Sequence, residues 1–427
     1  MMGCVEFPGV FTIPIGQFGT PVHAEWEYNR HPYTKKERNC HLCPVSTNIP
    51  LGGMSEMRAE ACWRREPSLP RPGHLPLSPP PTRSVANVQL PSPPWFAELF
   101  PVLLTGQDLP PARVTEAVRD LVAGRVDDAR AAAFLTALRM KGETAAEIAA
   151  AALVLREQMI QLVPVSGPVL DTCGTGGDES GTFNISTVAA LVAAGAGIPV
   201  VKHGNRAVSS RSGSADVLRE LGVPVEAGPE WAQRCLDRIG FAFCFAPQFH
   251  RGMAHVATLR RRLGVRTLFN LLGPLANPAN APYQLLGVGK PELLDPLAGA
   301  IAALGTRQAV LVCSFDGLDE VSLAAPTMVR VVRGGEYEAR EWNPTDFGLD
   351  PVSIRSIQAT GPAQSAAMIR GILDGEDGPA RRITLANAAA ALWAAEVVKT
   401  LREGVDRADA SLKSGHARVV LEHLIRG

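Results

Sequence analysis

A doubly wound, mostly parallel α/β domain preceded by a small all-helical N-terminal domain is the fold class this 427-residue sequence predicts. From residue 163 onward, short apolar runs alternate with stretches of helical spacing, the rhythm of β-α units. Between 95 and 162 the apolar residues recur at helical spacing with no strand-like run. Before 95 neither period is sustained.

Residues 1–94 carry Pro, Trp, Cys and His without pattern, and runs such as Leu77-Ser78-Pro79-Pro80-Pro81 can hold neither a helix nor a central strand. The segment reads as a disordered, Pro-rich extension, and Glu6, Glu25, Glu27 and Glu37 count against an organellar transit peptide. Its Cys40-His41-Leu42-Cys43 lacks a second ligand pair at zinc-site spacing. The helical domain, 95–162, opens on Trp95, Phe96, Leu99 and Phe100 and continues through Val114, Ala117, Val118 and Leu121. Further helices are expected over 127–140 and 144–161, the latter with Thr144 as N-cap. The large domain, 163–427, offers strands at 169–172, 200–202, 241–245, 284–288 and 309–313. Between them lie helices at 187–196, 215–221, 229–238 and 293–304. Parallel sheets of this kind bind ligands in the loops at the carboxyl ends of their strands.

Composition narrows the function. With 46% hydrophobic and 20% charged residues, the chain can build a sizeable core. A formal net charge of +0 gives no global field to recruit nucleic acid or an anionic membrane, so neither is expected as a partner. No run of 18 apolar residues and no signal-peptide pattern is seen, and the 8 cysteines form no dense framework; a cytoplasmic protein is expected.

The chemistry-bearing residues sit where strands are expected to end. The loop after the first strand reads Asp171-Thr-Cys-Gly174-Thr-Gly176-Gly177-Asp178, in which three glycines in four positions let backbone amides approach a phosphate. It is neither a Walker A loop nor a dinucleotide fingerprint, and taken alone it is as well read as a plain turn. Asn184-Ile185-Ser186-Thr187 precedes an apolar helix, where hydroxyls either cap the helix or help form an anion site. The strand Val200-Val201 ends in Lys202-His203-Gly204-Asn205-Arg206, then Ala207 to Asp216 with Ser209, Ser210, Ser212 and Ser214. Lysine, two arginines and four serines there suit an anionic sugar phosphate, although Ser could simply cap the next helix. The adjacent Asp319 and Glu320 are either solvated charge or ligands for a hard cation on a phosphate.

In order and spacing, 174–178, 184–187, 202–206 and 212–216 resemble the anthranilate phosphoribosyltransferases, as do Arg266 to Pro278 and Phe315 to Val321. The resemblance spans about 96–427. It implies a nucleoside phosphorylase/phosphoribosyltransferase-like fold and transfer of the phosphoribosyl group of phosphoribosyl pyrophosphate (PRPP) to the amine of anthranilate, a step of tryptophan biosynthesis. It implies PRPP binding by Gly174, Gly177, Asp178, Thr182, Asn184, Ile185, Ser186, Thr187, Lys202, His203, Gly204, Asn205, Arg206, Ala207, Val208, Ser209, Ser210 and Ser214. Anthranilate would meet Gly174, Asn205 and Arg260, and two Mg²⁺ ions would be held by Ser186, Asp319 and Glu320. A homodimer through the helical domain is implied as well. No general base is assigned, because an arylamine needs little deprotonation before attack.

Two stretches depart from the family pattern. His250-Arg251-Gly252-Met253 stands where His-Pro-Ala-Met is usual, which puts the acceptor pocket's shape in question. Thr360 to Ser365 replaces a usual Gly-Gly-Asp with a later Glu-Asn, in a region expected to lie away from the reacting centre. The rival readings are a pyrimidine nucleoside phosphorylase, which would not need the acid pair, and a non-catalytic nucleic-acid-binding relative, which should show a broad basic surface. Since 1–94 has no pattern able to bury a core, a chain beginning at Ser92 should fold and match full-length activity. Loss of solubility or a large fall in melting temperature on this truncation would show instead that the segment docks on the body.

Overall fold

The computed structural model describes residues 92–163, 165–207 and 212–427. The extension, its Cys-x-x-Cys pair, and Val208, Ser209 and Ser210 lie outside the described residues, apart from 92–94.

The chain enters through four helices, α1 (Pro94–Leu104), α2 (Pro111–Val122), α3 (Asp128–Lys141) and α4 (Ala145–Gln158). Proline opens α1 and α2, where its missing N–H costs nothing. The Asp127 side chain accepts from the Arg130 amide at 3.1 Å to start α3. Thr144 and Glu147 form a reciprocal capping box at the start of α4 (3.2 and 2.8 Å). Trp95 and Phe134 pack edge to face at the centre of this layer, both fully buried.

The α/β part continues with β1 (Leu170–Gly174), α5 (Ile185–Gly195), β2 (Val200–Gly204), α6 (Ser214–Glu220), α7 (Pro229–Ile239) and β3 (Phe241–Phe245). Three helices follow, α8 (Ala246–Phe249), α9 (Met253–Leu263) and α10 (Phe269–Leu272), before β4 (Tyr283–Gly287), α11 (Leu294–Ala303) and β5 (Gln308–Ser314). A hairpin, β6 (Thr327–Arg333) and β7 (Glu336–Trp342), precedes four closing helices, α12 (Pro362–Leu373), α13 (Pro379–Ala394), α14 (Leu401–Lys413) and α15 (His416–Arg426).

The sheet order is β3-β2-β1-β4-β5-β6-β7, with the first five strands parallel and β6 and β7 antiparallel. The sequence reading contains the five parallel strands and lacks the hairpin. Only β6 has an apolar face there, in Val329 and Val331, while β7 is exposed at every position but Trp342. Gly334 and Gly335, both at positive φ, make the turn.

Side-chain alternation splits the core into two. Leu285, Val310 and Val312 face α5 and the closing helices, whereas Leu286, Leu311 and Cys313 face α11 and the helical layer. α5 packs against α13, α14 and α15, closely enough that a Cβ on Gly195 would lie 2.4 Å from Ser411 Oγ and 2.5 Å from Ala417 N. Gly195→Ala should therefore lower stability by about 1–3 kcal/mol, the usual cost of overpacking, read as a shift in denaturant midpoint at unchanged slope.

Candidate functional site

Strand order reverses at β1, whose neighbours are β2 and β4, so the helices on either side diverge and leave a crevice at the strands' carboxyl ends. A cleft of about 470 Å³ opens there. Glycines at the strand ends let other backbone cross over them. A Cβ on Gly287, the last residue of β4, would sit 1.9 Å from the Asp319 carbonyl oxygen. A Cβ on Gly174, the last residue of β1, would approach Asp319 Oδ2 at 3.1 Å. Asp319 thus lies directly over two strand ends. Asn387 of α13 fixes the residue just beyond the acid pair, accepting from Val321 N and donating to Val321 O, both at 2.9 Å.

The glycine-rich loop faces this acid. Thr175 N donates to Gly287 O (2.8 Å) and Gly289 N donates to Thr175 Oγ1 (3.0 Å), so the loop is tied to the end of β4. Gly176 and Gly177 follow at φ 62° and 86°, consecutive left-handed conformations that only glycine adopts freely. Among the described residues the amides of Gly176, Gly177 and Asp178 have no acceptor, which makes the loop a ready nest for an anion.

Opposite it stands the N-terminus of α5. Asn184 precedes the helix without capping it through its side chain. Its side chain instead donates to Ser212 O (3.2 Å) and accepts from Ser212 Oγ and Ser365 Oγ (2.8 and 2.9 Å). Ser186 N donates to Glu320 Oε1 at 3.1 Å, placing a carboxylate on the positive end of the helix. Lys202, fully buried in the middle of β2, donates from Nζ to Ser186 Oγ (3.2 Å) and to the Thr172 carbonyl.

Charge in this corner is unbalanced. Burial pushes Glu320 up to about 7, with Asp178 adding to the shift and Lys202 and the Ser186 amide opposing it. Burial, Asp178 and Glu320 together hold Asp319 well above the usual carboxylate range. Burial also lowers Lys202, whose charge is supported first by Asp171. Acids held this far from their solution behaviour mark a place where a cation belongs. Among the described residues no three His, Cys, Asp or Glu side chains gather as a closed metal cage. Two carboxylates and the Ser186 hydroxyl do fit Mg²⁺, which takes one or two protein carboxylates and leaves its other positions to water and phosphate oxygens.

The far side of the cleft is lined by α8 to α10. Arg260 has no hydrogen-bond or ion-pair partner among the described residues, and its Nε is buried and unpaired. Burial and the neighbouring Arg266 both lower its pKa. Arg251 lines the same cleft, exposed and likewise without a partner. His203 and His250 lie with ring centroids 4.9 Å apart and planes tilted by 50°, each with a buried, unpaired Nε2. His203 Nδ1 lies 2.8 Å from Gly273 O.

The family model described as "Glycosyl transferase family, a/b domain" matches residues 166–418, and "Glycosyl transferase family, helical bundle domain" matches 98–159. The anthranilate phosphoribosyltransferase of Symbiobacterium thermophilum is 49% identical over 319 residues, 75% of this chain and 94% of that protein. The chain belongs to the anthranilate phosphoribosyltransferase family. The crystal structure of the Thermus thermophilus member superposes with a TM-score of 0.72 at 43% identity, covering 77% of this chain and 98% of the other. The Saccharomyces cerevisiae member, in complex with PRPP and Mg, superposes at 0.71 with 30% identity, covering 78% and 97%.

Most residues that the family resemblance implies line one cleft. Gly174, Gly177, Asp178 and Thr182 come from the first loop, and Asn184, Ile185 and Ser186 from α5. Lys202 to Ala207, Ser214, Arg260, Asp319 and Glu320 complete the set. Thr187 does not join them; it is fully buried with its hydroxyl unpaired. Arg206 lines the rim but is engaged by Glu226 and by the Phe245 ring at 5.7 Å. The stretch 360–365, expected to lie away from the reacting centre, instead reaches it. Ser365 Oγ accepts from Asn184 N at 2.9 Å, and Gln358 pairs with Thr182. A lone serine carries no motif, so nothing in the sequence marks that contact.

The two histidines make the fold acid-sensitive. Burial drives His203 down to about 3 and His250 to about 4, from an ordinary 6.5. Below 6.5 the unfolded chain takes up protons that the folded one refuses, so stability falls from about pH 6.5 towards pH 4, by on the order of 1 kcal/mol per pH unit for each ring. Glu320 tilts the other way in the same window, so the informative quantity is the difference between variant and wild type. His250→Gln should flatten the acid side of a plot of melting temperature against pH; an unchanged slope would remove His250 from the account.

Proposed function

We propose that this chain transfers the phosphoribosyl group of PRPP to the amine of anthranilate and releases pyrophosphate, as part of tryptophan biosynthesis. The observation that carries the reading is the half-buried Asp319–Glu320 pair, set over the ends of β1 and β4 and held on the α5 N-terminus facing a loop of unpaired amides. A nucleoside phosphorylase, which needs no metal, would leave that pair without a use.

In this reading the Gly176–Asp178 amides, Asn184, the first turn of α5 and Lys202 hold the phosphates of PRPP. Thr187 drops out, and Val208 to Ser210 remain by resemblance alone. Asp319, Glu320 and Ser186 hold magnesium, two ions in our proposal. Magnesium bound by these oxygens would offset the charge that collects on pyrophosphate as it departs. The acceptor lies towards Asn205 and Arg260, whose unpaired guanidinium suits the planar anthranilate carboxylate. Its amine attacks the anomeric carbon as the bond to pyrophosphate breaks, and the proton it sheds goes to solvent. The enzyme's contribution is chiefly positioning and charge stabilisation.

We further propose a cytoplasmic homodimer. Its four described thiols, Cys173, Cys235, Cys244 and Cys313, are free, and no helix among the described residues is long and apolar enough to cross a membrane. On the helical layer Phe96 stacks on Phe100, while Leu104 and Met140 are 66% and 83% exposed, an apolar surface suited to a second copy.

The test follows loss of anthranilate fluorescence in the presence of PRPP and Mg²⁺. Wild type should consume anthranilate, and Asp319→Ala with Glu320→Ala should abolish turnover while leaving the fold intact. Near-native turnover in that double variant would remove the metal assignment, and no consumption by wild type would remove the acceptor.

A further inference from the structure

Arg266, in the loop between α9 and α10, has a place that the reaction as described does not use. Its Nη2 donates to the Thr175 carbonyl at 2.7 Å, its only hydrogen bond among the described residues. Its Nη1 edge is turned to Gly177, where an added Cβ would come within 2.3 Å. Among the described residues no carboxylate pairs with it. Among the charges that face it, Asp319 supports its protonation, Arg139 of α3 together with burial opposes it, and the Arg260 guanidinium is a further positive neighbour. The loop is therefore clamped from both sides, by Gly287 and Gly289 at the end of β4 and by this guanidinium.

We propose that Arg266 is a positioning residue for PRPP, acting through the glycine-rich loop: it holds the Thr175 carbonyl back and so keeps the Gly176–Asp178 amides free to receive phosphate. The geometry follows from the planar peptide. Thr175 C=O and Gly176 N–H belong to one trans unit and point in opposite directions, so fixing the oxygen on Arg266 turns the N–H away from it. A loose loop would let that carbonyl swing towards the anion and repel it. Two features of arginine are needed at once, a donor for Thr175 and a thin planar edge against Gly177. Lysine, a compact point charge on a flexible stem, supplies neither the fork nor the plane. Glycine at 177 is required twice over, for its φ of 86° and for the room the guanidinium occupies.

The inference rests on assigning this loop to PRPP, so its test measures PRPP binding directly by calorimetry with Mg²⁺, beside steady-state kinetics. Arg266→Ala should weaken PRPP binding on the order of 10- to 100-fold, the worth of a charge-assisted hydrogen bond, and leave the anthranilate KM and the melting temperature in place. Arg266→Lys should be nearly as poor, and millimolar guanidinium should partly restore PRPP binding to Arg266→Ala. Gly177→Ala, with Arg266 intact, should give the same selective loss. A wild-type-like Arg266→Lys would reduce the residue to a simple charge and overturn the positioning role. Equal losses towards both substrates, or none, would overturn it as well. Wild type that binds PRPP but does not consume anthranilate would defeat the acceptor assignment and leave this inference to be decided by the binding data.

Discussion

The organisation of the site depends on one close approach: the backbone of Asp319 crosses the end of β4 at a distance that any side chain on Gly287 would forbid. That crossing brings two acids off the end of β5 and lays them over β1, within reach of the α5 N-terminus. Everything else in the cleft answers to it. Lys202 is placed under the acids by β2, and Asn387 fixes the residue after them from a helix late in the chain. The sheet order makes the opening, but the missing Cβ atoms decide what can be placed in it.

Burying two neighbouring carboxylates is costly unless something compensates them. Here compensation is partial in the protein alone, through one helix N-terminus and one lysine that is itself fully buried. The carboxyl groups respond by holding their protons more tightly than in water. In the proposed reading, that uncompensated remainder is what a bound cation would offset.

Much of this was legible in the sequence, and for identifiable reasons. The five parallel strands are short apolar runs between helical stretches, and the glycine, lysine and acid motifs sit at their ends, where ligands bind. β6 and β7 were not legible as a pair because β7 has almost no buried face and the valines of β6 are broken by Arg330. Thr187 sits at the start of α5 as its motif position implies, but its hydroxyl is buried outside the cleft lining. Ser365 and Asn387 reach the site from 181 and 66 residues away along the chain, with no local pattern to announce them. Arg266 was visible as the first residue of a motif; its hold on the glycine loop was not.

The outer hairpin has a different consequence. An exposed strand at the margin of a sheet is a template on which another chain can grow. β7 carries Glu336, Glu338, Arg340 and Glu341 along that margin, nearly all solvent-facing, so an incoming strand would have to strip water from charge after charge. At the opposite margin β3 is fully buried, with α7 and α8 packed on it. The sheet is thereby closed to extension at both ends, and growth by strand addition is barred without spending any residue of the cleft on the task.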